Sequence, residues 1–205
     1  SAHAGLAQIV FALTATIALR TSLFWSRFTD AAPRAAVEHG LRTRASRLAL
    51  WAAGATYVQI LLGAIVRHTG AGLAIPDWPL SFGKVVPTGA EWATDGVLAH
   101  FLHRTFAWAV AALVVAAALA LRKLDAIPGL RRLSTLWLGL VALQVALGAT
   151  SVWTGKAVWA TSAHLAVGGL LWIAGVLAAV LLARAAALSP APAAAEVGEP
   201  QEVAA

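Results

Sequence analysis

The ten residues AHFLHRTFAW, 99–108, head one of the longest apolar runs in the chain and carry two histidines and an arginine, His100, His103 and Arg104. Ionisable groups inside a membrane segment are costly, which makes each of them a candidate for function. Two more imidazoles open other apolar runs: His3 in SAH at 1–3, and His164 in SAH at 162–164. Neutral imidazole is the commonest metal ligand in proteins. A zinc centre draws its third and fourth ligands from Cys, His or carboxylate groups, and this chain has no cysteine. An iron porphyrin asks for less: one imidazole above, one below, and apolar helices against its faces. Ala107 and Ala111 beside His103, and Gly168 and Gly169 after His164, offer such flat surfaces. Paired histidines on facing helices of a four-helix bundle are a recurrent way to hold such a group.

His100 and His103 are three apart and share a helix face, so either could ligate. Arg104 suits a porphyrin propionate, which a guanidinium pairs bidentately; snorkelling to the membrane interface is the plainer alternative. For the histidines the plainer alternative is hydrogen bonding to headgroups or loops. Imidazoles at one depth on three separate segments favour ligation. His39, by contrast, falls in a basic loop, and His68 belongs to a loop where hydrogen bonding suffices to explain it.

The elements that carry these residues are membrane helices. Of 205 residues 60% are hydrophobic and 12% charged, and the mean hydropathy is +0.78; soluble domains carry about twice that share of charge. Residues 3–25, 48–66, 96–121, 133–152 and 157–183 approach or exceed the roughly 20 residues that cross a bilayer. None alternates as a barrel strand does. The predicted class is an all-α, polytopic membrane protein with five transmembrane helices, four of them forming a haem-binding bundle. The lack of cysteine excludes disulfides, iron–sulfur clusters and thiol chemistry.

A net charge of +6 is a topology signal rather than a nucleic-acid one. Arg27, Arg34, Arg42, Arg44 and Arg47 crowd the first connection, and Arg122, Lys123, Arg131 and Arg132 the third. The second connection, 68–95, sets only Lys84 against Asp77, Glu91 and Asp95, and the fourth holds Lys156. Positive residues gather on the cytoplasmic side. The chain is therefore expected in a cell (inner) membrane with its N-terminus outside, its C-terminus cytoplasmic and the lipid bilayer as its surroundings.

The chain also repeats itself. QILLGAIVRHTG at 59–70 and QVALGATSVWTG at 144–155 share Gln, Leu, Gly, Ala, Thr and Gly in register. The SAH echo at 1–3 and 162–164 is shorter. Together they predict a bundle of repeated helix pairs. Residues 1–26 are then the closing helix of a preceding four-helix unit, 47–184 a complete unit, and 185–205, rich in Pro, Ala and Glu, a disordered cytoplasmic tail. On this expectation the chain is a fragment, the last five helices of eight. The connection RHTGAGLAIPDWPLSFGKVVP, 67–87, has Gly70 and Gly72 for a tight exit, three prolines for stiffness and Trp78 suited to the interface. It reads as a folded lid over the histidine end.

GAIVRHTGAGLAIPDWPLSFG, the His103–Arg104 pair and TGKAVWATSAHLAVGGLL at 154–171 resemble the C-terminal half of heme A synthase. The resemblance spans nearly all of 1–184. It implies that His103 and His164 are axial ligands of a b-type haem, heme b, with Arg104 beside it. It also implies that His3 is one of two histidines flanking the substrate heme O, the other lying upstream, as does the glutamate the family places three residues before that partner. At the matching point before His103 stands His100, so no carboxylate is carried over. The cysteine pair that many members have in the lid is replaced by Ile75 and Ser81. The implied reaction oxidises a methyl group of heme O to the formyl group of heme A. Heme O synthase and oxidase assembly factors are the implied partners, and nucleic acid is not one. A chain with one half only is expected to be inactive alone. A membrane b-type cytochrome that carries electrons, and a non-haem assembly scaffold, are the rival classes.

The charge pattern makes the topology testable in this cysteine-free background. Lys84→Cys should react from outside with an impermeant thiol reagent, and Gly40→Cys should not; the reverse result would invert the orientation.

Overall fold

In the computed structural model, residues 2–31 and 39–188 are described. They form six helices: α1 (Ala2–Arg20), α2 (Leu23–Ala31), α3 (His39–His68), α4 (Val97–Arg122), α5 (Leu130–Trp153) and α6 (Val158–Leu188). All but α2 are long and apolar enough to cross a membrane, and no strand occurs among the described residues. The protein is a multi-pass, all-α membrane protein. Large apolar side chains such as Ile17, Leu50, Trp51 and Leu136 are exposed on the helix surfaces, where lipid replaces water as the solvent.

The first span is shorter than the sequence predicts, and the reason is local. Ser22 Oγ donates to the Leu19 carbonyl at 2.6 Å and accepts from the Trp25 N–H at 3.3 Å. One side chain thus closes α1 and caps α2. The short α2 buries Phe28 and places Trp25 under the guanidinium groups of Arg20 and Arg184, 5.6 and 5.9 Å from the ring centroid. At the other end of the chain, α6 runs on to Leu188, so residues 185–188, expected in the tail, are helix. The remainder of that tail lies outside the described residues.

Helices α3 to α6 stand in a square: α3 packs on α4 and α6, and α5 packs on α4 and α6. Helices α4 and α6 therefore occupy one diagonal. Helix α1 lies outside the square against α6 and α3. Small residues let the backbones approach, as is usual within membranes. Ala45, Ala49 and Ala52 of α3, Ala117 and Ala118 of α4, and Ala174 and Ala178 of α6 are all buried in one core. Two polar ties cross it: Ser134 Oγ donates to the Ala118 carbonyl at 2.7 Å, and Trp137 Nε1 donates to the Leu171 carbonyl at 3.0 Å.

That core fills only one end of the bundle, the end rich in arginine. It stops at Ala52 on α3, Val110 on α4, Val141 on α5 and Leu171 on α6. Val110 and Leu171 each lie seven residues, about 10 Å of helix, from His103 and His164. Toward the histidines, Gln59, Gly63, Ala107, Gln144, Gly148 and Val167 are only half-buried.

At the packed end, two glycines separate the inner face of the bundle from its outer one. A Cβ on Gly175 would come within 2.9 Å of Trp137 Cζ2 and 3.2 Å of Ala53 Cβ, whereas one on Gly139 meets nothing within 4 Å. Gly175→Val should therefore lower stability by about 1–3 kcal/mol through overpacking. Gly139→Ala should raise it by up to about 1 kcal/mol through helix propensity. Thermal unfolding in detergent reads both, and a tolerated Gly175→Val would contradict the packing described.

Candidate functional site

At the open end, the two copies of the sequence repeat do the same thing. The first lies on α3 and supplies Gln59 and Gly63; the second lies on α5 and supplies Gln144 and Gly148. Each pair meets the histidine of the next helix. Gln59 Nε2 lies 3.0 Å from His103 Nδ1 and donates to the His103 carbonyl at 2.9 Å. A Cβ on Gly63 would stand 3.1 Å from His103 Cε1. Gln144 Nε2 lies 3.3 Å from His164 Nε2, and a Cβ on Gly148 would stand 3.2 Å from His164 Cε1. A glutamine and a glycine four residues apart lie on one helix face, so each repeat forms a cradle with a polar wall and a gap that admits the ring.

The cradled imidazoles sit on α4 and α6, the diagonal of the square. Both are half-buried. His164 Nδ1, Gln59 Oε1 and Gln144 Oε1 are buried with no hydrogen-bond partner among the described residues. Orphaned buried polar atoms are rare in native structures and call for an explanation. Among the described residues there is no cluster of three or more His, Asp or Glu able to hold a bare metal ion. Two imidazoles on the diagonal helices, each with a glycine's clearance beside it, are a donor set that fits an iron porphyrin, which brings its own equatorial ligands.

The other candidates take different places. His100 is 4% exposed and its Nδ1 accepts the Ile75 N–H at 3.2 Å, so it faces the lid and not the cradle. Arg104 Nη1 donates to the Asp77 carbonyl at 2.8 Å, and Nη2 to those of Pro79 and Leu80 at 3.0 and 2.9 Å. The guanidinium expected at a propionate thus has three of its five N–H groups on the lid. His3 is exposed on α1, and His68 is exposed at the end of α3. The partners Gln59 and Gln144 were missed as site residues. Their position in the repeat was the available signal.

The lid between α3 and α4 is built on hydrogen bonds. Asp77 receives the Phe82 and Gly83 N–H groups at 2.7 Å each. Thr88 and Glu91 form a capping box, and Lys84 binds Glu91 at 3.0 Å. Trp78 stacks over Trp108 at 6.5 Å and meets Trp153 edge-on at 5.5 Å. Ile75 and Ser81 are buried. Gly96 starts α4 at φ +82, where a Cβ would collide with that of Ala71 at 2.6 Å, so the lid closes directly onto the helix that carries His103.

Comparison with known proteins gives the family. The profile of the cytochrome oxidase assembly protein family matches residues 1–176. The chain belongs to that family. Its curated relatives are named heme A synthase. The one from Novosphingobium aromaticivorans is 35% identical over 69% of this chain and 43% of its own length. The Caulobacter vibrioides protein is 38% identical over 91% of this chain and 51% of its own. The one from Caulobacter sp. strain K31 is 36% identical over 82% and 48%. The chain thus spans about half the length, or less, of the relatives it matches. No solved structure matches it. The resemblance to heme A synthases, read from the loop, the His103–Arg104 pair and the 154–171 stretch, is borne out.

The lid should be acid-labile. Desolvation pushes the Asp77 carboxyl up, but the Gly83 and Phe82 amides, its own amide and the Arg104 charge together outweigh it, and the net shift is downward. The Thr88 amide and Lys84 likewise hold Glu91 low. A carboxylate with a depressed folded-state pKa contributes stability above its ordinary value and loses it as pH falls through the folded one. Protease cleavage within 70–95 should therefore increase below the ordinary carboxylate range. Asp77→Asn should be cleaved readily even at neutral pH, with less acid dependence. A lid equally resistant in both proteins would show that Asp77 does not organise it.

Proposed function

We propose that this chain is the haem b-holding part of a heme A synthase, with His103 and His164 as the axial ligands of one low-spin b-type haem. The observation that carries this reading is the pair of matching cradles, each holding an imidazole at one of two opposite corners of the square. When bound, the haem supplies electron transfer. The chain's own residues would bind and orient it: His103 and His164 would hold it, with Gly63 and Gly148 leaving room for their rings. The lid, tied down by Arg104 and His100, covers the site from above and separates it from water. Arg104 keeps two N–H groups beyond its lid bonds, enough to meet a propionate at the rim.

The substrate is heme O, oxidised at a methyl group to the formyl group of heme A. His3 serves the substrate side. It is exposed on α1, while the imidazole of α6, on which α1 packs, is turned away toward α5. Residues 1–26 then belong to a neighbouring four-helix unit and 47–184 to the haem b unit. The N-terminus lies outside and the tail in the cytoplasm, which places the haem near the outer surface. Heme O synthase and oxidase assembly factors are its partners in delivery and hand-over.

The ligands are tested by the spectrum of the purified chain. His103→Ala and His164→Ala should each abolish or strongly weaken haem retention, because one axial bond and its face packing are lost. His100→Ala should keep a low-spin spectrum. Loss of haem in His100→Ala with retention in His103→Ala would overturn the assignment. Given heme O, the 205-residue chain should form no heme A, since one histidine on an exposed helix face cannot orient the substrate. Supplying the part of its relatives that the chain does not cover should restore conversion. Heme A made by the chain alone would move the chemistry to His103 and His164.

A further inference from the structure

The arginine end of the bundle has a pocket that the histidine site does not use. It is an open cavity of about 870 Å³ between α2 and the turn that joins α4 to α5. Packing fixes its apolar wall. Phe28 is buried in one core with Leu124, Ile127 and Leu130, and Phe24, its ring 6.0 Å from that of Phe28, rests on Gly129. A Cβ on Gly129, at φ +82, would stand 2.7 Å from Phe24 Cζ, so this glycine both makes the turn and admits the ring. Beside the two rings stand Arg27 of α2 and Arg131 and Arg132 of α5, against the single carboxylate of Asp125. All four charged side chains are exposed. Among the described residues, none of the three guanidinium groups is hydrogen-bonded or ion-paired. Like charges gathered on one pocket repel until an anion lies among them.

The place of the pocket says which anion. Helix α1 stops at Arg20 and α4 at Arg122, and α5 starts at Leu130, so the cavity lies where the spans end, level with lipid headgroups. We propose that it holds the phosphate of an anionic phospholipid drawn from the surrounding leaflet. Guanidinium groups pair bidentately with phosphate oxygens. The phenylalanine wall takes the glycerol backbone and the first acyl carbons, whose burial is favourable; a free phosphate ion would gain nothing from it. A choline headgroup cancels the charge of its own phosphate, whereas three arginines against one aspartate favour a lipid that keeps that charge. The bound lipid bridges α2 to α5, and so ties the segment that leaves α1 to the packed end of the square.

The test uses the whole purified chain, stripped of lipid in detergent, and reads bound lipid by native mass spectrometry together with the thermal unfolding midpoint. Added phosphatidylglycerol should be retained and should raise the midpoint; phosphatidylcholine and inorganic phosphate should do neither. Arg27→Gln, Arg131→Gln and Arg132→Gln should each bind phosphatidylglycerol about fivefold more weakly, with the midpoint in phosphatidylcholine unchanged. Thr135→Trp, which fills the pocket without altering its charge, should also lose the lipid. Arg122→Gln combined with Lys123→Gln removes two exposed charges at the same end but outside the pocket, and should bind as the wild type does. Equal loss in that pair, or undiminished binding by Thr135→Trp, would reduce the effect to diffuse surface charge and overturn the site. Equal protection by inorganic phosphate would make it a site for a free anion, and equal binding of phosphatidylcholine would remove the role of charge; either result overturns the proposal.

Discussion

An imidazole placed inside an apolar bundle must find a polar partner on a neighbouring helix, and there is little water to supply one. Much of this molecule follows from meeting that demand twice. The partner has to be long enough to cross between helices, which favours Gln59 and Gln144 over shorter amides. The ring then needs room beside the partner, and one turn further along each helix stands a glycine, Gly63 or Gly148, whose missing Cβ provides it. A histidine on α4 served from α3 and one on α6 served from α5 form two equal units. Packed as a square, they bring the two histidines to opposite corners. The repeat in the sequence is thus the trace of one solution used twice.

The lid meets a second demand with neighbouring residues of the same helix. His100 and Arg104 are four apart and nearly eclipsed, so both face the lid; His103 is turned some 60° from His100 at 100° per residue. His100 accepts a lid amide and Arg104 takes lid carbonyls, while His103 is left to the cradle. A lid of this length, without regular structure beyond short 3₁₀ turns, would be mobile if its backbone groups were unmatched. Here Asp77, Thr88 and Glu91 satisfy them from within, and the cluster of Trp78, Trp108 and Trp153 seats it on α4 and α5.

The five spans were legible in the sequence because they depend on long runs of apolar residues, and no local detail can undo such runs. The break after Arg20 was not, since it depends on what one serine, Ser22, bonds to. The histidines were visible as residues that lipid would not tolerate. Spacing alone paired His100 with His103, because residues three apart share a face; the neighbouring elements decide which side of that face each ring takes. The glutamines were in plain view in the repeat and still escaped, because a lone polar residue in an apolar helix reads as a blemish until its partner across the bundle is known. Arg104 was read by charge, toward an anion, and the structure gives three of its five donors to neutral lid carbonyls.

The division of the bundle into a packed end and an open one is itself an argument about mechanism. Small residues draw α3 to α6 together at the arginine end, and Trp137, bonded to the Leu171 carbonyl and pressed against Gly175, locks α5 to α6. Helices fixed at one end are constrained along their length, so His103 and His164, two turns from the core on different helices, inherit a set separation. On the proposed reading, replacing the cradle residues by larger apolar side chains would add packing at the cost of the site. A group bound between the imidazoles would complete the core instead, and would stabilise the folded chain by mass action according to how tightly it is held. On the proposed haem reading, the histidine end would be the part of the bundle whose packing is completed by its ligand.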